Sequence, residues 1–233
     1  GKPAKILFFK ENIDNFFKSL KVYKINKKNI KKNILKLIKL NLNKKKQYDH
    51  LFRVAANNKM ISISLRKRFK PKSNFNLKLI NYKRIDPEYK NLKYKKILNI
   101  LNKMDTTKSD IALYKNNKIL ESGTSNLLFI KKNKIYSPIN SFYKGTTLKF
   151  FTKKIKKIKK VNIFADSLNQ YDEIIIIGSG KGVASVSSIK KTLWKRKSLK
   201  NYRILSKIYQ QAITNCPRYN GWSIIISILK TFD

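Results

Sequence analysis

The stretch Ile174–Ser188, IIIIGSGKGVASVSS, runs four isoleucines into a turn with glycines at 178, 180 and 182, then alternates again as a strand does. Glycine-rich turns often hold phosphate through their free amides. Two common forms are excluded by spacing. A Walker loop needs four residues between its first glycine and a Gly-Lys-Ser/Thr, followed by a helix, but here Lys181 is followed by Gly182. A dinucleotide fingerprint needs Gly-x-Gly-x-x-Gly opening a helix, whereas these glycines are evenly spaced and lead into a strand. What remains is a strand–turn–strand. It is either a tight turn in a sheet or an anion nest in which the Ser179 hydroxyl joins the backbone amides.

Working outward, the spacing of Ile13, Phe16, Phe17 and Leu20 predicts a helix, and Ile30, Ile34, Leu37 and Ile38 predict a second. HLFRVAA, the turn Asn57-Asn58-Lys59 and ISISLRKRF read as a hairpin, and NFNLKLI (74–80) as a further strand. These form a small α+β unit, residues 1–84, which ends before the break at Asp86-Pro87. The remainder, 85–233, reads as a larger mixed domain. It starts with a helix carrying Ile97, Leu101 and Met104. Two hairpins follow, turning at Asn116-Asn117 and Lys132-Asn133. A helix begins near Thr146 and keeps Leu148, Phe151, Ile155 and Ile158 on one face. LKNYRILSKIYQQAI is helical again, and SIIISIL (223–229) is too short to span a membrane and reads as a packed terminal segment. No internal repeat is visible. The fold class is α/β, an α+β two-domain arrangement.

Composition limits the chemistry. The formal charge is +43, from 55 basic and 12 acidic residues, and only seven of the basic residues are Arg. The lysines are spread through every segment, so the reading is a solvated coat that binds polyanions without sequence preference rather than a dedicated nucleic-acid site. Cys216 and His50 are each single, which removes disulfides, cysteine-based zinc sites and most histidine–metal clusters. His50 precedes an apolar strand and reads as structural. There is no secretory signal, so the expected location is the cytoplasm.

Three further segments carry a resemblance. ESGTSNLLFI (121–130) with KIYSP (134–138), then KGTTLKF (144–150), together with EYKNLKY (88–94) and DEIIIIGSGKGVASV, occur in the order of the class IV aminotransferase signature. The chain therefore resembles the pyridoxal-phosphate (PLP) enzymes of fold type IV over most of its length. The resemblance implies that Lys90 carries the cofactor, which no count of lysines could select. It also implies that Glu121 faces the pyridine nitrogen and keeps it protonated. Tyr94 and Asn126 fall on further cofactor-binding positions. Gly145, Thr146 and Thr147 at a helix start, with Ser179 from the glycine turn, would hold the phosphate, since free amides and the helix dipole favour an anion there.

GTT at Gly145 and SGKGV at Ser179–Val183 are most similar to aminodeoxychorismate lyases, with Lys181 at a substrate-binding position usually held by Arg. That branch implies cleavage of 4-amino-4-deoxychorismate to 4-aminobenzoate and pyruvate, a folate-pathway step, in a homodimer acting on a small amine. Branched-chain or D-amino-acid transaminases of the same fold are the first alternative. The second is a degenerate, non-catalytic homologue that binds polyanions nonspecifically. Departures from the pattern are specific. Asn15 stands where the phosphate-binding Arg belongs, Leu148 replaces the Arg after Gly-Thr-Thr, and Ser185 replaces a Pro. The chain opens with Gly1 and not Met, and the family's first strands would precede it.

Overall fold

The computed structural model describes residues 4–26, 28–43, 46, 48–155 and 157–218. The chain divides into two compact units, one running up to Arg68 and resuming at Gln211, the other Phe69–Gln210.

In the first unit, α1 (Phe9–Val22) and α2 (Ile30–Asn41) follow the predicted helical spacing. Ile13, Ile34 and Ile38 are buried, and Phe52, Val54, Ile61 and Ile63 of an antiparallel hairpin pack against them. The hairpin consists of β1 (His50–Ala56) and β2 (Ile61–Lys67). Its turn is held by Asn57, whose Oδ1 accepts the Lys59 and Met60 amides at 2.8 Å each. His50 is exposed at the strand start, with its ring edge-on to Tyr48. Asn15 is buried on α1. The segment 223–229, read above as a packed tail, lies outside the described residues.

The second unit is built on an eight-stranded sheet, ordered β5-β4-β3-β10-β9-β6-β7-β8. Its strands are β3 (Phe75–Asn81), β4 (Ser109–Lys115), β5 (Lys118–Ser122), β6 (Asn126–Lys131), β7 (Lys134–Pro138), β8 (Ile158–Val161), β9 (Glu173–Gly178) and β10 (Gly182–Lys190). Among them run α3 (Lys95–Leu101) and α4 (Thr146–Lys154), and α5 (Lys200–Thr214) follows. The β4–β5 and β6–β7 hairpins turn where predicted. Asn116, Asn117, Lys132 and Asn133 all have left-handed φ between 47° and 60°, the backbone that two-residue hairpin turns demand.

Two elements differ from the sequence reading. The strand grouped with the first unit, β3, lies in the middle of the larger sheet, parallel to both β10 and β4. Phe75 and Leu77 are fully buried there, so the apolar face that looked like one side of a small sheet completes the main core. The helix expected to run through Ile158 stops at Lys154, because Ile155 is extended and Ile158 opens β8. β8 pairs parallel with β7 at the sheet edge. A short, lysine-bearing strand suits an edge, where it blocks further pairing.

The core packs Phe75, Leu77, Phe129, Ile174, Ile176 and Val186 with Trp194, whose indole N–H donates to the Tyr171 carbonyl at 2.9 Å. The turn Ser179-Gly180-Lys181 joins β9 to β10 as a strand–turn–strand, with Gly182 at φ 69°.

Candidate active site

The candidate residues Lys90, Tyr94, Glu121, Asn126, Gly145–Thr147, Ser179 and Lys181 lie in the second unit, whereas Asn15 lies in the first. The centre of the site is the short segment Tyr143–Thr146 that leads into α4. Asn126, on the first position of β6, clamps this segment from both sides. Its Nδ2 donates to the Tyr143 carbonyl at 2.7 Å and its Oδ1 accepts the Gly145 amide at 3.1 Å. Both amide groups of Asn126 are thus spent on backbone. A Cβ on Gly145 would sit 2.9 Å from Asn126 Oδ1, so glycine is what lets the clamp close. The consequence is a fixed start for α4, with Thr146 and Thr147 as its first two residues and no side-chain cap.

On one side of the clamp are hydroxyls. Thr146 Oγ1 and Ser179 Oγ are 3.4 Å apart, so the α4 start and the glycine turn meet as the sequence predicted. The hydroxyls of Thr147, the next residue of α4, and of Ser125, which precedes Asn126, are buried without a hydrogen-bond partner among the described residues. Buried hydroxyls are nearly always paired, so these two are candidate donors to an external acceptor. Gly178 is required here as well, since a Cβ would fall 2.6 Å from Ser125 Oγ.

On the other side is a carboxylate. Glu121, near the end of β5, has a side chain 6% exposed. It accepts the Tyr143 amide on Oε2 at 3.2 Å. Arg84 grips it with Nε on Oε1 at 2.6 Å and Nη2 on Oε2 at 3.3 Å. Burial pushes the Glu121 carboxyl above its ordinary range, opposed by Arg84, the Tyr143 N–H and the charge of Lys90. Lys90 lies on the loop 82–94, with its ammonium 4.9 Å from the centre of the Tyr143 ring. Arg84 Nη2 also donates to the Pro87 carbonyl at 2.6 Å, and Asn91 Nδ2 to the Ile85 carbonyl at 3.1 Å, so the loop is stitched to itself. Tyr94 ends it, partly buried against the Ile97–Leu113 cluster.

Lys181 is placed differently. Its ammonium is 3.4 Å from the fully buried Asp110 Oδ2 and 3.1 Å from Thr124 Oγ1. The substrate-binding lysine of the sequence reading is therefore already paired with an internal carboxylate. Neither Arg84 nor Asp110 was singled out from sequence. The usable signal for Arg84 was its rarity, one of seven Arg in a chain that otherwise uses Lys.

A hollow of about 490 Å³ lined by Arg196, Lys197, Lys200 and Arg203 lies elsewhere, at the α5 start. The Glu173 carboxylate already takes the Asn201 and Tyr202 amides there, at 2.8 and 2.9 Å, which leaves that helix end satisfied. Among the described residues no cluster of His, Cys, Asp and Glu could hold a metal, and no helix is long and apolar enough to cross a membrane.

The fold is similar to several solved structures. The fold resembles that of a Legionella pneumophila protein named as a 4-amino-4-deoxychorismate lyase (TM-score 0.69, 15% identity, covering 88% of this chain and 86% of that one). It also resembles the branched-chain aminotransferase of Thermoproteus uzoniensis (TM-score 0.67, 11% identity, 89% and 79%). A third similar structure is the Thermobaculum terrenum branched-chain amino acid aminotransferase in its PLP form (TM-score 0.67, 15% identity, 91% and 80%). No curated protein matches the sequence. The family model for amino-transferase class IV matches residues 2–189. Because that match spans most of its length, the chain belongs to the class IV aminotransferases.

Proposed function

We propose that this chain binds PLP and acts on a small primary amine as an aminodeoxychorismate lyase-like enzyme, cleaving 4-amino-4-deoxychorismate to 4-aminobenzoate and pyruvate. The observation that carries the PLP reading is the meeting of Thr146 and Ser179 hydroxyls beside the orphaned, buried Thr147 Oγ1. A phosphate there would supply acceptors to all three. The residues present fit the cofactor: these hydroxyls and the first α4 amides for the phosphate, Glu121 for the pyridine nitrogen, and Lys90 as the amine that carries it.

PLP supplies an electron sink for the carbon that bears the substrate amine. Lys90 Nζ would have to be uncharged to act; it would hold the cofactor and, once displaced by the substrate amine, would be the base for the proton on that carbon. Glu121 would accept the ring N–H and so favour a protonated ring nitrogen. Asn126 and Gly145 act through geometry, fixing the α4 start. The Arg expected at position 15 is Asn, and losing one charge-assisted phosphate contact costs on the order of 1.5–3 kcal/mol. Binding weaker than in Arg-bearing relatives is the expected result.

The lyase choice rests on GTT and SGKGV. A transaminase reading on the same fold gains support from Lys181, whose pairing with Asp110 removes the lysine offered to the lyase substrate. The test is direct. Added PLP should give an absorption band near 410–420 nm, a general property of lysine-bound PLP. The loaded protein should then release pyruvate from 4-amino-4-deoxychorismate without a keto acid. Amine transfer that requires a keto acid selects the transaminase, and no band at saturating PLP rejects both. A homodimer belongs to the same proposal, and sedimentation at moderate salt checks it.

A further inference from the structure

We infer that Arg84 is a positioning residue. It holds the Glu121 carboxylate ionised and oriented for a ring N–H donor, and it fastens the Lys90 loop to that same carboxylate. The inference deepens the PLP reading above and rests on it for the identity of the donor.

The geometry is a fork. Two guanidinium nitrogens meet two carboxylate oxygens, at 2.6 and 3.3 Å, with side chains only 10% and 6% exposed. A lysine could not make this arrangement, because an ammonium is a point charge without two parallel donors. In a chain with 48 Lys and seven Arg, the fork stands where a carboxylate must keep one orientation.

The acceptor count is informative. An ionised carboxylate offers about four lone-pair sites. Arg84 Nη2 and the Tyr143 amide fill Oε2, while among the described residues Oε1 receives Arg84 Nε alone. One site on Oε1 therefore remains for an external donor.

The guanidinium also decides where a shared proton rests. In a dry site, a carboxylate and a pyridine nitrogen can divide one proton either way, as carboxylate with pyridinium or as carboxylic acid with neutral pyridine. Burial alone favours the uncharged pair. A cation bonded to the carboxylate favours the charged pair, which is the electron-withdrawing form of the ring. Arg84 reaches further through Nη2, which holds the Pro87 carbonyl three residues before Lys90. The candidate amine and the candidate carboxylate are thus tied through one side chain.

The chain has four Glu, so selective ¹³C labelling of glutamate carboxyls gives a countable spectrum, and Glu121→Gln identifies the Glu121 signal. In the whole 233-residue chain without cofactor, Arg84→Met should raise the Glu121 titration midpoint by about one pH unit or more, with Arg84→Lys in between. With PLP labelled by ¹⁵N at the ring nitrogen, wild type should show a protonated nitrogen near neutral pH. Arg84→Met should show a neutral one, and Arg84→Lys a partial return. A merely structural arginine would move neither signal. An unchanged Glu121 midpoint, or a ring nitrogen equally protonated in wild type and both variants, overturns the inference. If Arg84→Met does not fold, Arg84→Lys decides alone, and wild-type values in both spectra overturn it. Failure of wild type to take up PLP rejects the function proposed above, while the Glu121 titration without cofactor still judges the Arg84 contact.

Discussion

Two buried ion pairs lie in the second unit, and they are built in opposite ways. Arg84 forks onto Glu121 and leaves an acceptor site open on Oε1. Lys181 meets Asp110 through one oxygen, and that pair closes on itself. Asp110 Oδ2 faces both Lys181 and the Thr124 hydroxyl, while Oδ1 accepts the Ile111 amide at 2.7 Å. The first pair keeps one acceptor position unfilled among the described residues. The second fastens the glycine turn to β4 and to the loop after β5. Residues that look equivalent as charges thus divide into one group kept available and one consumed internally.

The strongest way to break this comparison is to remove each carboxylate. Glu121→Gln should leave Arg84 as a buried charge without its partner, costing about 3–5 kcal/mol, and should abolish the PLP absorption band. Asp110→Asn should cost less, about 1–3 kcal/mol, because the Lys181 stem can swing its ammonium outward, and the band should persist. Urea unfolding and PLP titration of both variants check the order. Loss of the band in Asp110→Asn with its retention in Glu121→Gln would invert the assignment.

The pH dependence sharpens the contrast. Glu121 is held above its ordinary value of 4.5 by burial, so the fold binds this proton more readily than the unfolded chain does. Its contribution to stability is therefore full below pH 4.5 and declines as pH rises through the raised value. Arg84→Met, which removes a downward pull on Glu121, should then destabilise most at neutral pH and least in acid, where Glu121 takes a proton and the unpaired charge disappears. Unfolding midpoints on both sides of the Glu121 titration test this, and a cost independent of pH would show that the charge on Glu121 is not what Arg84 serves.

A smaller effect is expected at the glycine turn. Gly178→Ala places a methyl 2.6 Å from Ser125 Oγ. Such overpacking should cost about 1–3 kcal/mol, part of which Ser125→Gly should restore in the double variant. The smallest effect carries a sign. Thr147→Val removes an orphaned hydroxyl, so the cofactor-free protein should be unchanged or slightly more stable. PLP affinity should fall by about 1 kcal/mol, roughly fivefold. A hydroxyl with no ligand role would leave the affinity alone.

Much of this was legible in the sequence, and the exceptions share a cause. Asn116-Asn117 and Lys132-Asn133 announce their hairpins because a turn is written in the residues that make it. Gly145-Thr146 announces α4 for the same reason. The alternation of 74–80 reveals a strand but not its partners, which are β10 and β4 and belong to the second unit. β8 was read as helix because an Ile–Lys run serves either period, and the edge of β7 decided the matter. Arg84 and Asp110 leave no local pattern because each pairs with a distant segment, whereas Lys90, Glu121 and Ser179 stand in motifs that make them candidates.

The four isoleucines of β9, each fully buried between β6 and β10, have a consequence for the chain before it folds. Until its neighbours arrive, Ile174–Ile177 is an uncharged, β-branched run of the kind that stacks between molecules. Mutual repulsion at a net charge of +43 keeps unfolded chains apart. The lysine coat then acts as a colloidal safeguard during the interval when the sheet is incomplete. Salt shortens the reach of that repulsion to within about 10 Å at 0.1 M. Refolding yield should therefore fall with added salt at concentrations that leave the finished sheet intact.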